Sequence, residues 1–205
     1  MGRPAEPPMR TTSLMLFVFV VLMASGCIRS LHPLYNEGDL VYKGELLGTW
    51  AEEDTAGTWT FTRAGEKRYK LTHHQKGYQQ GFIHSETVPG DSATFEVHLA
   101  QFGDFLFMDL FPEPLDRRND LCKVHWIPVH TFSRVWLEND ALKMSMLNAD
   151  WLEAMIEDGN LKIAHERIED EIVLTASTEV LQKLVISFAN DPEAFPEPRV
   201  LFKLE

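Results

Sequence analysis

Thr58-Trp59-Thr60-Phe61-Thr62, followed after the turn signal Arg63-Ala64-Gly65-Glu66 by Tyr69-Lys70-Leu71-Thr72-His73, decides the fold class. Aromatic or aliphatic residues alternate there with polar ones at a period of two, and both stretches are rich in strand formers. Working outward, Phe95, Val97 and Leu99 alternate with Thr94, Glu96 and His98, a third strand with one wet face. Pro89-Gly90-Asp91, Gly103-Asp104 and Glu138-Asn139-Asp140 each separate two apolar runs by a few residues, as hairpins of an antiparallel meander do. Trp136, Leu137, Leu142, Met144 and Met146 continue the sheet after an irregular section at residues 112–128, and residues 161–167, 171–175 and 200–204 read as later strands. The chain is therefore expected to be mainly β, an antiparallel barrel or strongly curved sheet of about ten strands with two short helices.

One run departs from the alternation. Phe105-Leu106-Phe107-Met108-Asp109-Leu110-Phe111 is apolar on both faces, so something must cover the second one: a helix packed outside, a ligand inside a barrel, or a protein partner. The two helices are expected at residues 149–158 and 178–190. Asn148 is placed to cap the first, Trp151, Leu152, Met155 and Ile156 form its stripe, and Gly159 ends it. Ser177 is placed to cap the second, Leu181, Leu184, Val185 and Phe188 form its stripe, and Asp191-Pro192 stops it. Each stripe is the face expected to pack on the sheet.

The N-terminal residues give an address. Arg3 and Arg10 supply a positive start, residues 14–23 are uninterrupted apolar sequence, and Ala24-Ser25-Gly26 place small residues before Cys27. The apolar run is short of the roughly 20 residues a spanning helix needs. Met23-Ala24-Ser25-Gly26-Cys27 resembles the lipobox of bacterial lipoproteins. That resemblance implies cleavage before Cys27 and acylation of its thiol, so that the membrane is met through this one lipid anchor. Ile28 is not the aspartate that retains such proteins at the inner membrane, so the resemblance implies a place in the envelope on the periplasmic face of the outer membrane. The division expected is a signal peptide at 1–26, an acylated cysteine and short tether at 27–40, and a single domain at 41–205. Fully extended, residues 28–39 would span about 40 Å, which would keep the body near the bilayer.

Leu47-Gly48-Thr49-Trp50, followed by the Thr58 to Phe61 stretch, resembles the Gly-x-Trp first strand of lipocalins, in which the tryptophan closes one end of the barrel. Together with the lipobox, His32-Pro33-Leu34-Tyr35, the late helix and Ala194-Phe195-Pro196, the chain is similar to a family of bacterial lipoproteins with a lipocalin-like body. No binding residue comes with that resemblance. It does imply a late arginine packed on the first-strand tryptophan, with Arg167 and Arg199 both open.

Composition narrows the partners. Lys and Arg number 19 against 31 Asp and Glu, a net charge of −12, and loss of Arg3, Arg10 and Glu6 with residues 1–26 makes it −13. Such a body has no electrostatic footprint for nucleic acid. The two cysteines are Cys27 and Cys122, so acylation of the first leaves the second without an internal partner, and the 13 Phe and 5 Trp must hold the core without a disulfide.

Motifs for chemistry are weak. His73 and His74 are adjacent and point to opposite faces of a strand, as His125 and His130 would at their odd separation, so no metal is expected. His165-Glu166-Arg167-Ile168-Glu169 lacks the second histidine of a zinc-protease helix, and Gly90-Asp91-Ser92-Ala93 is a turn without a nucleophile elbow. Glu52, Glu53, Glu169, Asp170 and Glu171 lie in charge runs that read as wet faces. No catalytic residue or cofactor is nominated. The leading expectation is a membrane-tethered binding module whose apolar interior accepts a hydrophobic small molecule or an envelope protein, with Trp50, Phe105, Phe107, Phe111, Trp136, Met144 and Met146 as candidate cavity lining. The alternative is an envelope scaffold with a solid barrel.

Overall fold

The computed structural model describes residues 28–53, 57–80, 86–114, 120, 124–169 and 171–204. Cys27 and Cys122 lie outside the described residues, and with them the expected signal peptide and lipid attachment. The alternating stretches form β3 (Gly48–Ala51), β4 (Gly57–Arg63), β5 (Arg68–Gln75), β8 (Asp91–Phe102), β9 (Phe105–Pro112), β10 (Thr131–Glu138), β11 (Ala141–Met146) and β14 (Arg199–Lys203). These eight pair antiparallel in that order, β14 returns to β3, and the sheet closes into a barrel. The β8–β9 and β10–β11 links are tight because Gly103 (φ 59°) and Asn139 (φ 50°) take the left-handed conformation that two-residue hairpin loops need.

Six short strands add to this frame. β2 (Leu40–Val41) extends the edge of β8 beyond the end of β5, and β6 (Tyr78–Gln80) pairs with β7 (Glu86–Val88). β12 (His165–Ile168) pairs with β13 (Glu171–Leu174), which pairs in parallel with β1 (Arg29–Ser30), giving a separate three-stranded sheet. The helices are α1 (Ala149–Glu157) and α2 (Thr178–Phe188). Asn148 accepts from the N–H groups of Asp150 and Trp151 at 3.0 and 3.4 Å. Ser177 holds the equivalent place before α2, yet its side chain makes no capping bond. Among the described residues, no helix is long and apolar enough to cross a membrane.

Two cores result. The first fills one end of the barrel with Trp50, Phe61, Tyr69, Leu71, Leu99 and Leu142, all essentially inaccessible. The second lies outside the barrel, where both helix stripes and the small sheet pack over Phe107 and Phe132. The second face of the doubly apolar strand is thus covered by the chain's own helices. Phe107 meets Phe195 at 5.9 Å and Phe102 at 5.8 Å between ring centroids. Each such fully buried side chain contributes about 1.5–3 kcal/mol.

The expected tether is corrected by this packing. Residues 28–42 are laid along the body: Ile28 is 5% exposed, and Ser30 and Leu34 are fully buried. Ser30 exchanges backbone hydrogen bonds with His130, Thr178 donates to the Pro33 carbonyl, and Gln182 donates to Leu34 and Asp39. The polar and turn-forming residues that suggested a loose linker are consumed in caps and side-chain contacts instead.

Candidate functional site: the open end of the barrel

The two ends of the barrel differ. At the closed end the 3-10 turn Gly44–Leu46 tucks Leu46 under the barrel, and the indole Nε1 of Trp50 donates to the Leu46 carbonyl at 2.9 Å. Lys203 lies over the Trp50 ring with its Nζ 5.1 Å from the centroid, and that Nζ donates to the Glu45 carbonyl at 3.1 Å. The late cation on the tryptophan is therefore Lys203, not Arg167 or Arg199. Arg167 pairs with Glu153 and Glu157 of α1, and Arg199 pairs with Glu52 at 2.9 Å. Tyr69 seals the same end: its hydroxyl accepts from the Lys43 N–H at 2.6 Å and donates to the Lys43 carbonyl at 3.1 Å. Burial pushes that hydroxyl up to about 12, so it stays a neutral donor.

The other end, where β4, β8, β10 and β14 begin, holds a cavity of about 410 Å³. Its apolar wall is Trp59, Leu110, Met144, Met146 and Leu147, and its polar positions include Thr131, Ser133 and Arg199. That volume is in the range of small-molecule sites, and a mostly apolar wall with a few polar groups is their usual chemistry. Trp59 stands edge-on to His73 with centroids 5.0 Å apart. Burial, then the neighbouring His74 and Arg199, hold the His73 pKa below its ordinary value, so the ring beside Trp59 is neutral near pH 7. Arg199 is matched by Glu52, and Glu197 adds a carboxylate to the rim, so the charges lie at the mouth while the wall itself is apolar.

Of the seven candidate lining residues, Met144 and Met146 border this cavity. Trp50 fills the closed end. Phe105, Phe107, Phe111 and Trp136 face outward, and their assignment to the interior is corrected. Strand parity is the reason: on β9 Met108 and Leu110 join the inner core while Phe107 joins the outer one. The Arg134 guanidinium lies between the rings of Phe105 and Trp136, at 4.9 and 4.5 Å from their centroids. Trp59, Leu110, Thr131, Ser133 and Arg199 were not nominated from sequence. Trp59 shares its inward parity with Phe61, and that shared parity was the available signal.

A second polar cluster lies outside the barrel. Asp109, the one charge in the doubly apolar run, is 1% exposed and accepts from the Leu34 N–H at 2.8 Å. Its other oxygen meets His130 Nδ1 at 2.7 Å, and His130 stacks on Phe111 at 4.4 Å. His98 lies opposite Asp109 on β8 and stacks on Tyr35 at 4.4 Å. Burial first, then Asp109 and Glu96, push Tyr35 up to about 12. The cluster is covered by residues 30–35, so its chemistry is to fasten that segment to β9. Among the described residues, no group of three or more His, Cys, Asp or Glu side chains gathers as a metal site. Comparison with protein-family models, with curated proteins and with solved structures gives no significant match for this chain.

Proposed function

We propose that this protein is a bacterial envelope lipoprotein, anchored through an acylated Cys27, whose barrel binds a hydrophobic small molecule at its open end. The observation that carries the reading is the unequal filling of the barrel. The end plugged by Leu46 and Trp50 carries only a cleft of about 490 Å³ rimmed by charged and polar residues such as Glu45, Asp104 and Glu138, while the other keeps a cavity of about 410 Å³ walled by Trp59, Leu110, Met144 and Met146. The two methionines suit such a role, because unbranched thioether side chains adapt to guests of varied shape. The lipobox-like Met23 to Cys27 stretch supports the envelope address, with the outer membrane facing the periplasm as the expected place.

Native mass spectrometry of protein purified from its own membrane tests both parts. A lipidated N-terminal peptide and a bound small molecule released on unfolding are expected. An unmodified cysteine overturns the anchor, and an empty barrel removes the ligand reading. The scaffold alternative draws on a separate observation: Phe202 and Leu204 are 44% and 49% exposed at the end of β14. An empty barrel that co-purifies with an envelope protein, and loses it on Phe202→Glu, would favour that alternative.

A further inference from the structure

We infer that the guest of the open-end cavity carries a carbonyl oxygen, and that this oxygen takes the hydrogen bond of the Ser133 hydroxyl. The inference rests on the binding reading above and adds the chemical class of the guest to it. Thr131 and Ser133 are inward positions of β10, because Val135 shares their parity and joins the inner core while Phe132 joins the outer one. Strand register sets Ser133 between Met108 of β9 and Met146 of β11, and Thr131 opposite Leu110. A hydroxyl is thus set into a wall of sulfur and hydrocarbon.

The other polar side chains of the cavity are engaged or stand at its mouth. The Ser145 hydroxyl donates to the Pro196 carbonyl at 2.6 Å. Asn148 accepts from the N–H groups of Asp150 and Trp151 through its side-chain oxygen, and its amide donates to the Glu193 carbonyl at 3.1 Å. Arg199 and Glu197 carry their charges at the rim, with Arg199 matched by Glu52 at 2.9 Å. Ser133 differs from all of these. It is 4% exposed, and its hydroxyl has no hydrogen-bond partner among the described residues. No fully enclosed side-chain oxygen among those residues lacks a partner, so the Ser133 oxygen is reached from the cavity it lines.

A guest that fills the cavity takes solvent away from this hydroxyl and must itself supply what the hydroxyl bonds. The proton makes the stricter demand, since an orphaned donor is rarer in folded proteins than an acceptor with a spare lone pair. A plain hydrocarbon leaves that proton unmet. An alcohol accepts it but brings a proton of its own, so one donor still lacks an acceptor. A carbonyl accepts and brings none. The class is therefore an apolar molecule with a keto, ester or other acyl group, its carbonyl against β10 and its apolar remainder against Trp59, Met144 and Leu147.

Paired ligands test this. Residues 28–205 hold both cores and every described element. Equilibrium dialysis compares 2-acetylnaphthalene with 2-isopropylnaphthalene, which are close in shape and differ in the carbonyl, on the parent and on Ser133→Ala. The variant is expected to bind the ketone at least about fivefold more weakly and the hydrocarbon within about twofold of the parent. In the parent, the infrared C=O stretch of the bound ketone should lie below its value in hexane, a measurement that needs no variant. Equal binding of the ketone by parent and variant, a hexane-like stretch, or a parent that holds the hydrocarbon and not the ketone would overturn the carbonyl site and leave the cavity reading standing. Binding of neither ligand by the parent would overturn both.

Discussion

Gly48 and Lys203 show how a short motif does its work. Gly48 has φ 128°, a conformation that side chains other than glycine's rarely adopt, and a Cβ there would meet Lys203 Cε at 2.7 Å. The glycine lets the chain turn sharply enough for Trp50 to plug the barrel and leaves room for the lysine stem over its ring. Gly48→Ala is expected to destabilise the protein by about 1–3 kcal/mol, read as a lower urea midpoint at unchanged slope. His98 supplies a pH response. Burial lowers its pKa, outweighing the raising effects of Glu96 and Asp109, while Arg68 and His130 add to the lowering. The unfolded imidazole takes a proton near pH 6.5 and the folded one only at lower pH, so stability is full above that value and falls as pH drops below it. His98→Gln should flatten this part of the pH dependence of the urea midpoint; an unchanged slope would assign it elsewhere.

At the scale of elements, what could be read from sequence was what local pattern alone determines. The helices were expected at 149–158 and 178–190 and occur at Ala149–Glu157 and Thr178–Phe188, because a 3.6-residue stripe and its stop signals are local properties. Capping was legible only by residue type. Asn148→Ala should cost about 1 kcal/mol, whereas Ser177→Ala should cost a few tenths at most, since only Asn148 bonds the first N–H groups of its helix. Paired thermal melts of the two variants check this contrast. β1 and β2 were not legible, for they are two residues each and exist only through partners far along the chain. The doubly apolar run tells that β9 is covered on both faces, but Asp109 within it carries no reading of its own. Nothing local named Leu34 and His130 as its partners. The cavity lining failed for a related reason: a run apolar on both faces hides its own parity, and register with β8 and β10 decides that Leu110 looks inward and Phe111 outward.

For the whole molecule, one closed sheet serves two neighbours. Its outer face is covered by helices and by the N-terminal segment. Its inner space is divided into a packed plug and an open cavity, and the central claim is that this cavity binds an apolar guest. The most direct measurement is a titration of residues 28–205 with a fluorescent fatty-acid probe, set beside Met144→Arg, which puts a charge on the cavity wall. Saturable binding by the parent, weakened at least about tenfold (~1.4 kcal/mol) in the variant while its circular dichroism and urea midpoint stay close to the parent's, is the result expected. No saturable binding by the parent, or equal binding by both, would contradict it.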